Sequence, residues 1–103
     1  MDQFKIDVTT KAHEDIADCV FFVMRVSKEA ALALTTTIYS SLATLNSFPE
    51  RNPVFEMPKH FPFIVRKHII DKRYVALYSI EKDKVIIYRV IDTRKKCEYL
   101  LVK

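Results

Sequence analysis

The side chains in this sequence best equipped for chemistry are positive, and they crowd into its second half. Residues 1–50 hold more acids than bases, so the whole positive excess behind the formal charge of +4 belongs to residues 51–103. The run Arg94-Lys95-Lys96 is its densest site, and Arg66, His68 and Arg89 stand inside otherwise apolar runs. Cations gathered in this way neutralise phosphate or an acidic protein surface. The plainer readings are that Arg66 and Arg89 are solvated or ion-paired with Glu81 or Asp92, that His68 is a satisfied edge histidine, and that Arg94-Lys95-Lys96 is a solvated turn. Other chemistries have little to build on. Glycine is absent, which removes glycine-dependent phosphate loops and dinucleotide fingerprints, so no cofactor is expected. Cys19 and Cys97 make neither a disulfide framework nor a zinc site, and no metal is expected.

The elements that position these cations lie in residues 61–92. Three apolar, β-branched and aromatic runs, at about 61–70, 74–81 and 85–92, are separated by Asp71-Lys72-Arg73 and Glu81-Lys82-Asp83-Lys84. Such runs form strands, and breaks this short force antiparallel neighbours. Period-2 alternation divides each strand between two faces. Tyr74, Ala76, Tyr78 and Ile80 are expected beneath helices. Val75, Leu77, Val85, Ile87 and Ile91 are expected on an open face, beside Arg66, His68 and Arg89. That open face is more apolar than a monomer usually shows.

The first half supplies the cover. Phe4, Ile6 and Val8 alternate with Lys5 and Asp7, which predicts a first strand within Met1–Val8. Thr9-Thr10 offers a helix N-cap, with Glu14 and Asp15 in the first turns, where acids suit the helix dipole. Ala12, Ile16, Cys19, Val20, Val23 and Met24 recur at helical spacing from about 11 to 26. Ser27 caps a second helix over 29–46 with a stripe of Leu34, Ile38, Leu42 and Leu45. Pro49, Pro53 and Pro58 keep 47–60 extended as a linker, with Phe48, Phe55 and Met57 available to tuck against the core.

The predicted architecture is α+β: an N-terminal strand, an α-helical hairpin, then a three-stranded antiparallel meander, all in one four-stranded sheet. With 103 residues, a single domain spanning 1–103 is expected. No apolar run reaches the length of a membrane span and no signal peptide is evident, so a cytoplasmic protein without membrane contact is expected.

The order of these pieces resembles the RelE/ParE superfamily of bacterial toxins. The likeness is carried by Ile6 with Thr10, Ala12, Asp15 and Ile16; by Ala30 to Ala33; by Leu45, Phe48 and Pro49; by Arg66 and His68. It continues through Tyr74-Val75-Ala76-Leu77-Tyr78, Val85-Ile86-Ile87-Tyr88-Arg89-Val90, Asp92, Arg94 and Tyr99-Leu100-Leu101. It covers almost the whole chain. The resemblance implies the toxin of a type II toxin–antitoxin pair, neutralised by a cognate antitoxin in a hetero-oligomer. It leaves two targets open. RelE-like members are mRNA interferases, metal-independent endoribonucleases that cut messenger RNA on the ribosome, whereas ParE-like members poison DNA gyrase without nuclease chemistry. A third reading is a degenerate chain that keeps only its antitoxin-binding surface.

For the ribonuclease reading the resemblance implies a catalytic set of Arg66, His68, Arg94 and Tyr99, with Arg89, Lys95 and Lys96 binding RNA phosphate. Arginine there stabilises charge that develops on the phosphate, and His68 or Tyr99 transfers a proton. Arg66, His68 and Tyr99 favour this ribonuclease reading, which is the expected one, with the gyrase poison as its alternative. Two departures from the ribonuclease pattern slightly favour that alternative. Val75 stands where such members often carry arginine after the tyrosine, and Asp92 stands where histidine often precedes the arginine.

Overall fold

The computed structural model describes residues 3–56 and 62–94. Strand β1 (Lys5–Val8) leads into helix α1 (Thr10–Met24), and α2 (Lys28–Ala43) follows after a three-residue break. The expected caps are in place: Thr9 Oγ accepts from the Ala12 N–H and Ser27 Oγ from the Ala30 N–H, both at 3.1 Å. Each hydroxyl satisfies one of the amides that a helix start leaves without an intrahelical partner. A 3₁₀ turn extends α2 through Thr44–Asn46.

The segment expected to be a plain linker has structure of its own. Pro49–Arg51 forms a second 3₁₀ turn and Val54–Phe55 forms a short strand, β2. Then come β3 (Val65–Ile70), β4 (Tyr74–Glu81) and β5 (Lys84–Asp92). The sheet therefore has five strands rather than four, in the order β1-β5-β4-β3-β2. Its β3-β4-β5 meander is antiparallel as expected, β2 adds to β3 antiparallel, and β1 lies parallel to β5. The parallel pairing is compatible with the connectivity, because α1, α2 and the strands β2, β3 and β4 lie between β1 and β5, far more than the crossover that parallel neighbours require.

Without glycine, the β3–β4 turn places Asp71 and Lys72 at φ 52° and 62°. The Arg73 N–H closes it on the Ile70 carbonyl at 3.2 Å. Two successive left-handed residues match the twist of a tight hairpin.

The main core lies between the helices and one sheet face. Ile38, Leu42 and Leu45 are buried against Tyr74, Ala76 and Tyr78, together with Ala12, Ile16 and Ile70. The stripe on α2 therefore faces the strand expected of it. A smaller cluster, Val65, Leu77 and Ile91 with Phe55 and Val75, occupies the other face.

Two expectations fail here. The β4–β5 register shifts between Leu77 and Tyr78, so that Leu77 faces Arg89 while Tyr78 faces Ile87. One extra residue in β5 inverts the alternation. Val85 and Ile87 consequently join Val90 under the helices, and only Ile91 of the expected β5 trio reaches the open face. Phe48 does not tuck in: it is 77% exposed at φ 51°. Phe55 does pack on the second cluster, and Met57 lies outside the described residues. No described helix is long and apolar enough to cross a membrane.

Candidate functional site

Arg66 and His68 share a face of β3, as alternation requires, but it is the helix face and not the open one. Ile70, next in the same series, belongs to the main core. His68 is only 9% exposed. Its Nε2 lies 2.9 Å from Ser41 Oγ on α2, and its Nδ1 lies 2.9 Å from Asn52 Nδ2. Asn52 Nδ2 also donates to Tyr78 Oη at 3.1 Å, and Tyr78 Oη donates to the Pro49 carbonyl at 2.6 Å. Arg66 Nη1 donates to the carbonyls of Asn52, at 2.7 Å, and Glu50, at 3.2 Å. Arg51 in turn donates to the Thr44 and Ser47 carbonyls at the end of α2. Together these side chains bind the 49–55 segment to the sheet and to α2. Burial lowers the His68 pKa below its ordinary value, and the Arg51 charge lowers it further, while hydrogen bonding to Ser41 acts in the opposite direction. Burial likewise raises Tyr78.

Arg89 stands at a different place, where α1 crosses the end of β1. Its Nε donates to Asp15 Oδ2 at 2.7 Å and its Nη2 to Asp15 Oδ1 at 3.1 Å. The partner is thus Asp15, rather than Glu81 or Asp92. Asp15 also accepts the Val90 N–H at 3.0 Å. Strand β1 pairs with β5 only as far as Val8 opposite Ile87. Beyond that point Thr9 serves the Ile87 and Tyr88 carbonyls, and Asp15 serves Val90. A buried strand edge must find partners somewhere, and here the first turns of α1 provide them.

Arg94 leaves the end of β5. It makes three bonds to the Asp92 carboxylate: backbone N–H to Oδ1 at 2.9 Å, Nε to Oδ1 at 3.0 Å and Nη2 to Oδ2 at 2.7 Å. The hydrogen bond and charge of Asp92 raise the pKa of this exposed guanidinium above its ordinary value. Arg94 and Asp92 line a cavity of about 380 Å³ with Asp18, Cys19 and Phe22 of α1. This cavity is remote from His68. Arg66 faces Tyr78, whereas Asp92 faces Tyr74. For Arg66 that is four residues along β4 and two strand spacings across, roughly 13 Å by 10 Å; His68, opposite Ala76, is two residues along and two spacings across, roughly 7 Å by 10 Å. The fold therefore brings Arg66 and His68 together on Asn52 and keeps both apart from Arg94 and Arg89. Tyr99, Lys95 and Lys96 lie outside the described residues.

The model of the ParE toxin of the parDE type II toxin–antitoxin system matches residues 6–96. The chain belongs to the ParE toxin family. Among solved structures, the chromosomal ParDE toxin–antitoxin system from P. aeruginosa is similar at a TM-score of 0.69 and 18% identity, over 87% of this chain and 96% of that one. The toxin–antitoxin complex RelBE2 from Mycobacterium tuberculosis is similar at a TM-score of 0.57 and 18% identity, over 89% and 93%. No curated protein matches the sequence. The resemblance to RelE/ParE toxins drawn from the residues is thus confirmed at the level of family and fold.

Within this ParE-type fold the open sheet face carries Val65, Leu77, Ile91, Phe55 and Val75. Phe63 stacks on Tyr88 with ring centroids 5.4 Å apart, and Ser79 Oγ lies 3.0 Å from Tyr88 Oη. Ile69 is 58% exposed on the same strand series as Val65. Among the described residues no cluster of three or more His, Cys, Asp or Glu is arranged to hold a metal. Sequence reasoning missed Ser41 and Asn52 as partners of His68 and placed Asp15 at the helix dipole. For Asp15 a signal existed, because it sits three residues after Ala12 and four before Cys19, on the apolar stripe of α1, where an unpaired carboxylate would be costly.

Proposed function

We propose that this chain is the toxin of a type II pair, that a cognate antitoxin neutralises it, and that it acts by binding DNA gyrase rather than by cutting mRNA. The observation that carries the reading is the separation of His68 from Arg94. A nuclease site needs a proton acceptor within hydrogen-bond reach of the substrate and phosphate cations converging on the same atoms. His68 is buried with both ring nitrogens engaged, and Arg94 stands past the end of β5, two strands away from β3. Val75 and Asp92, which depart from the ribonuclease pattern, weigh in the same direction. In this reading Arg94, with Lys95 and Lys96 beside it in sequence, forms the positive patch that meets the target. The antitoxin is the partner for the open face or the adjoining helix groove. Its likeness to two solved toxin–antitoxin structures supports such a partner.

The test runs two assays on the purified chain: DNA supercoiling by gyrase, and mRNA cleavage on translating ribosomes. Inhibited supercoiling with intact mRNA is expected. Cleaved mRNA with unaffected supercoiling would overturn the gyrase reading and return Arg66, His68, Arg94 and Tyr99 to a nuclease site. Neither activity would leave the antitoxin-binding homologue as the answer.

A further inference from the structure

The polarity of every hydrogen bond around His68 is fixed by one neighbour. Tyr78 Oη gives its only hydrogen to the Pro49 carbonyl, so towards Asn52 it can only accept. Asn52 must therefore present its NH₂ group, which has a hydrogen for Tyr78 Oη and one for His68 Nδ1. Nδ1 is then a bare acceptor, and the ring hydrogen sits on Nε2, donated to Ser41. The arrangement Ser41–His68–Asn52 has the spacing of a nucleophile, a base and an orienting residue. Its polarity is reversed, because a base must offer its lone pair to the serine.

We propose that His68 is a proton-sensitive latch: its neutral Nε2–H form ties the 49–55 segment to α2, and protonation of Nδ1 releases that segment and strand β2 from β3. A proton on Nδ1 would point at the Asn52 NH₂ group, donor against donor. Rotating the amide turns Asn52 Oδ1 towards Nδ1–H and Tyr78 Oη, and Tyr78 can donate to it only by giving up the Pro49 carbonyl. Either way the segment loses a bond that holds it. Around His68 stand Arg51 and Glu50 from the segment itself, Arg66 from its own strand and Tyr78 from β4. Helix α2 contributes the neutral Ser41. Glu50 is the acid of this set, and its carbonyl is bound by Arg66. The Arg51 charge opposes a further positive charge on the ring and favours release once it is protonated. The latch is local because, among the described residues, β2 pairs with β3 at two positions, Val54 opposite Arg66 and Phe55 opposite Val65. The Lys67 N–H adds a single bond to the Pro53 carbonyl. Release uncovers the outer edge of β3.

The sign follows from linkage. The folded value is lowered, so the unfolded state binds the extra proton more readily, and so does the released state. The latch is complete above about pH 6.5, the free histidine value, and weakens as pH falls below it towards the folded value.

Nitrogen-15 NMR of the histidine rings, with amide hydrogen exchange across the same pH series, tests this on the intact chain. The expected results are an Nε2–H tautomer for His68 at pH 8 and selective loss of Lys67 amide protection at lower pH. That loss should be about tenfold per pH unit between the free and folded values, the factor one bound proton imposes, while β5 core amides stay protected. Asn52→Asp replaces the donor by an acceptor. In that variant His68 should titrate higher, carry its hydrogen on Nδ1 and no longer lose Lys67 protection as it protonates. An Nδ1–H tautomer in the unmodified chain, a Lys67 amide that stays protected as His68 titrates, exchange of all amides together, or wild-type behaviour of Asn52→Asp would each overturn the latch.

Discussion

Asp15 and Arg89 lie 74 positions apart in sequence and meet in a two-point ion pair across the edge of β5. The Asp15 side chain is 8% exposed and the Arg89 side chain 23%, while Lys11 one helical turn away approaches the same carboxylate at 3.8 Å. Because Asp15 also holds the Val90 N–H, it completes the sheet where β1 ends. Asp15→Ala is expected to cost about 2–3 kcal/mol, the range for orphaning a buried amide and half of an ion pair. Arg89→Ala should cost less, since Asp15 then keeps Val90 and Lys11. Chemical denaturation of the two variants checks the order, and an Arg89 variant less stable than the Asp15 variant would contradict this account.

The left-handed residues of the β3–β4 turn predict a gain in stability. Lys72 at φ 62° bears a Cβ strain of roughly 1–2 kcal/mol that glycine would not, against an entropic penalty of about 0.5–1 kcal/mol. Lys72→Gly should therefore stabilise by about 0.5–1 kcal/mol. A lower melting temperature for this variant would show that the Lys72 side chain contributes something the turn geometry does not reveal.

The open face predicts a separation of binding from folding. Ile69 is more than half exposed beside the buried cluster of Val65 and Leu77. Surface changes of this kind usually alter stability by less than about 0.5 kcal/mol. Ile69→Asp should leave the fold intact and weaken association with the cognate antitoxin, read by titration calorimetry. Unchanged affinity would move the antitoxin to the helix groove.

Arg94 predicts a loss of toxicity without a loss of fold. It is exposed, and among the described residues its side-chain and backbone hydrogen bonds run to Asp92. Exposed ion pairs of this kind contribute little to stability. Arg94→Ala should abolish growth inhibition on induction while its melting temperature and antitoxin binding match those of the parent chain. Full toxicity in the variant would remove Arg94 from the target surface.

The sequence by itself determined the succession of first strand, helix pair and meander, both helix caps, and the stripe of Leu34, Ile38, Leu42 and Leu45. Each of these is written in local spacing: 3.6 residues for the helices, 2 for the strands, and polar breaks too short for a crossover. The family was legible for the same reason, since its likeness rests on the order and distance of such pieces. Tertiary structure decided the rest. Alternation correctly grouped Arg66 with His68 and Ile70, but nothing local showed which group lay under the helices. Polarity alone points this group to the open face, yet Ser41 and Asn52, 27 and 16 positions away, supply partners for His68 on the helix side. A single bulged residue then carried Val85 and Ile87 to the opposite face from the one counted. The edge chosen by β1, the strand made by Val54–Phe55, and the meeting of Asp15 with Arg89 all depend on contacts between segments far apart in the chain. Periodicity fixes the directions of side chains within an element, whereas their partners exist only after the elements have packed.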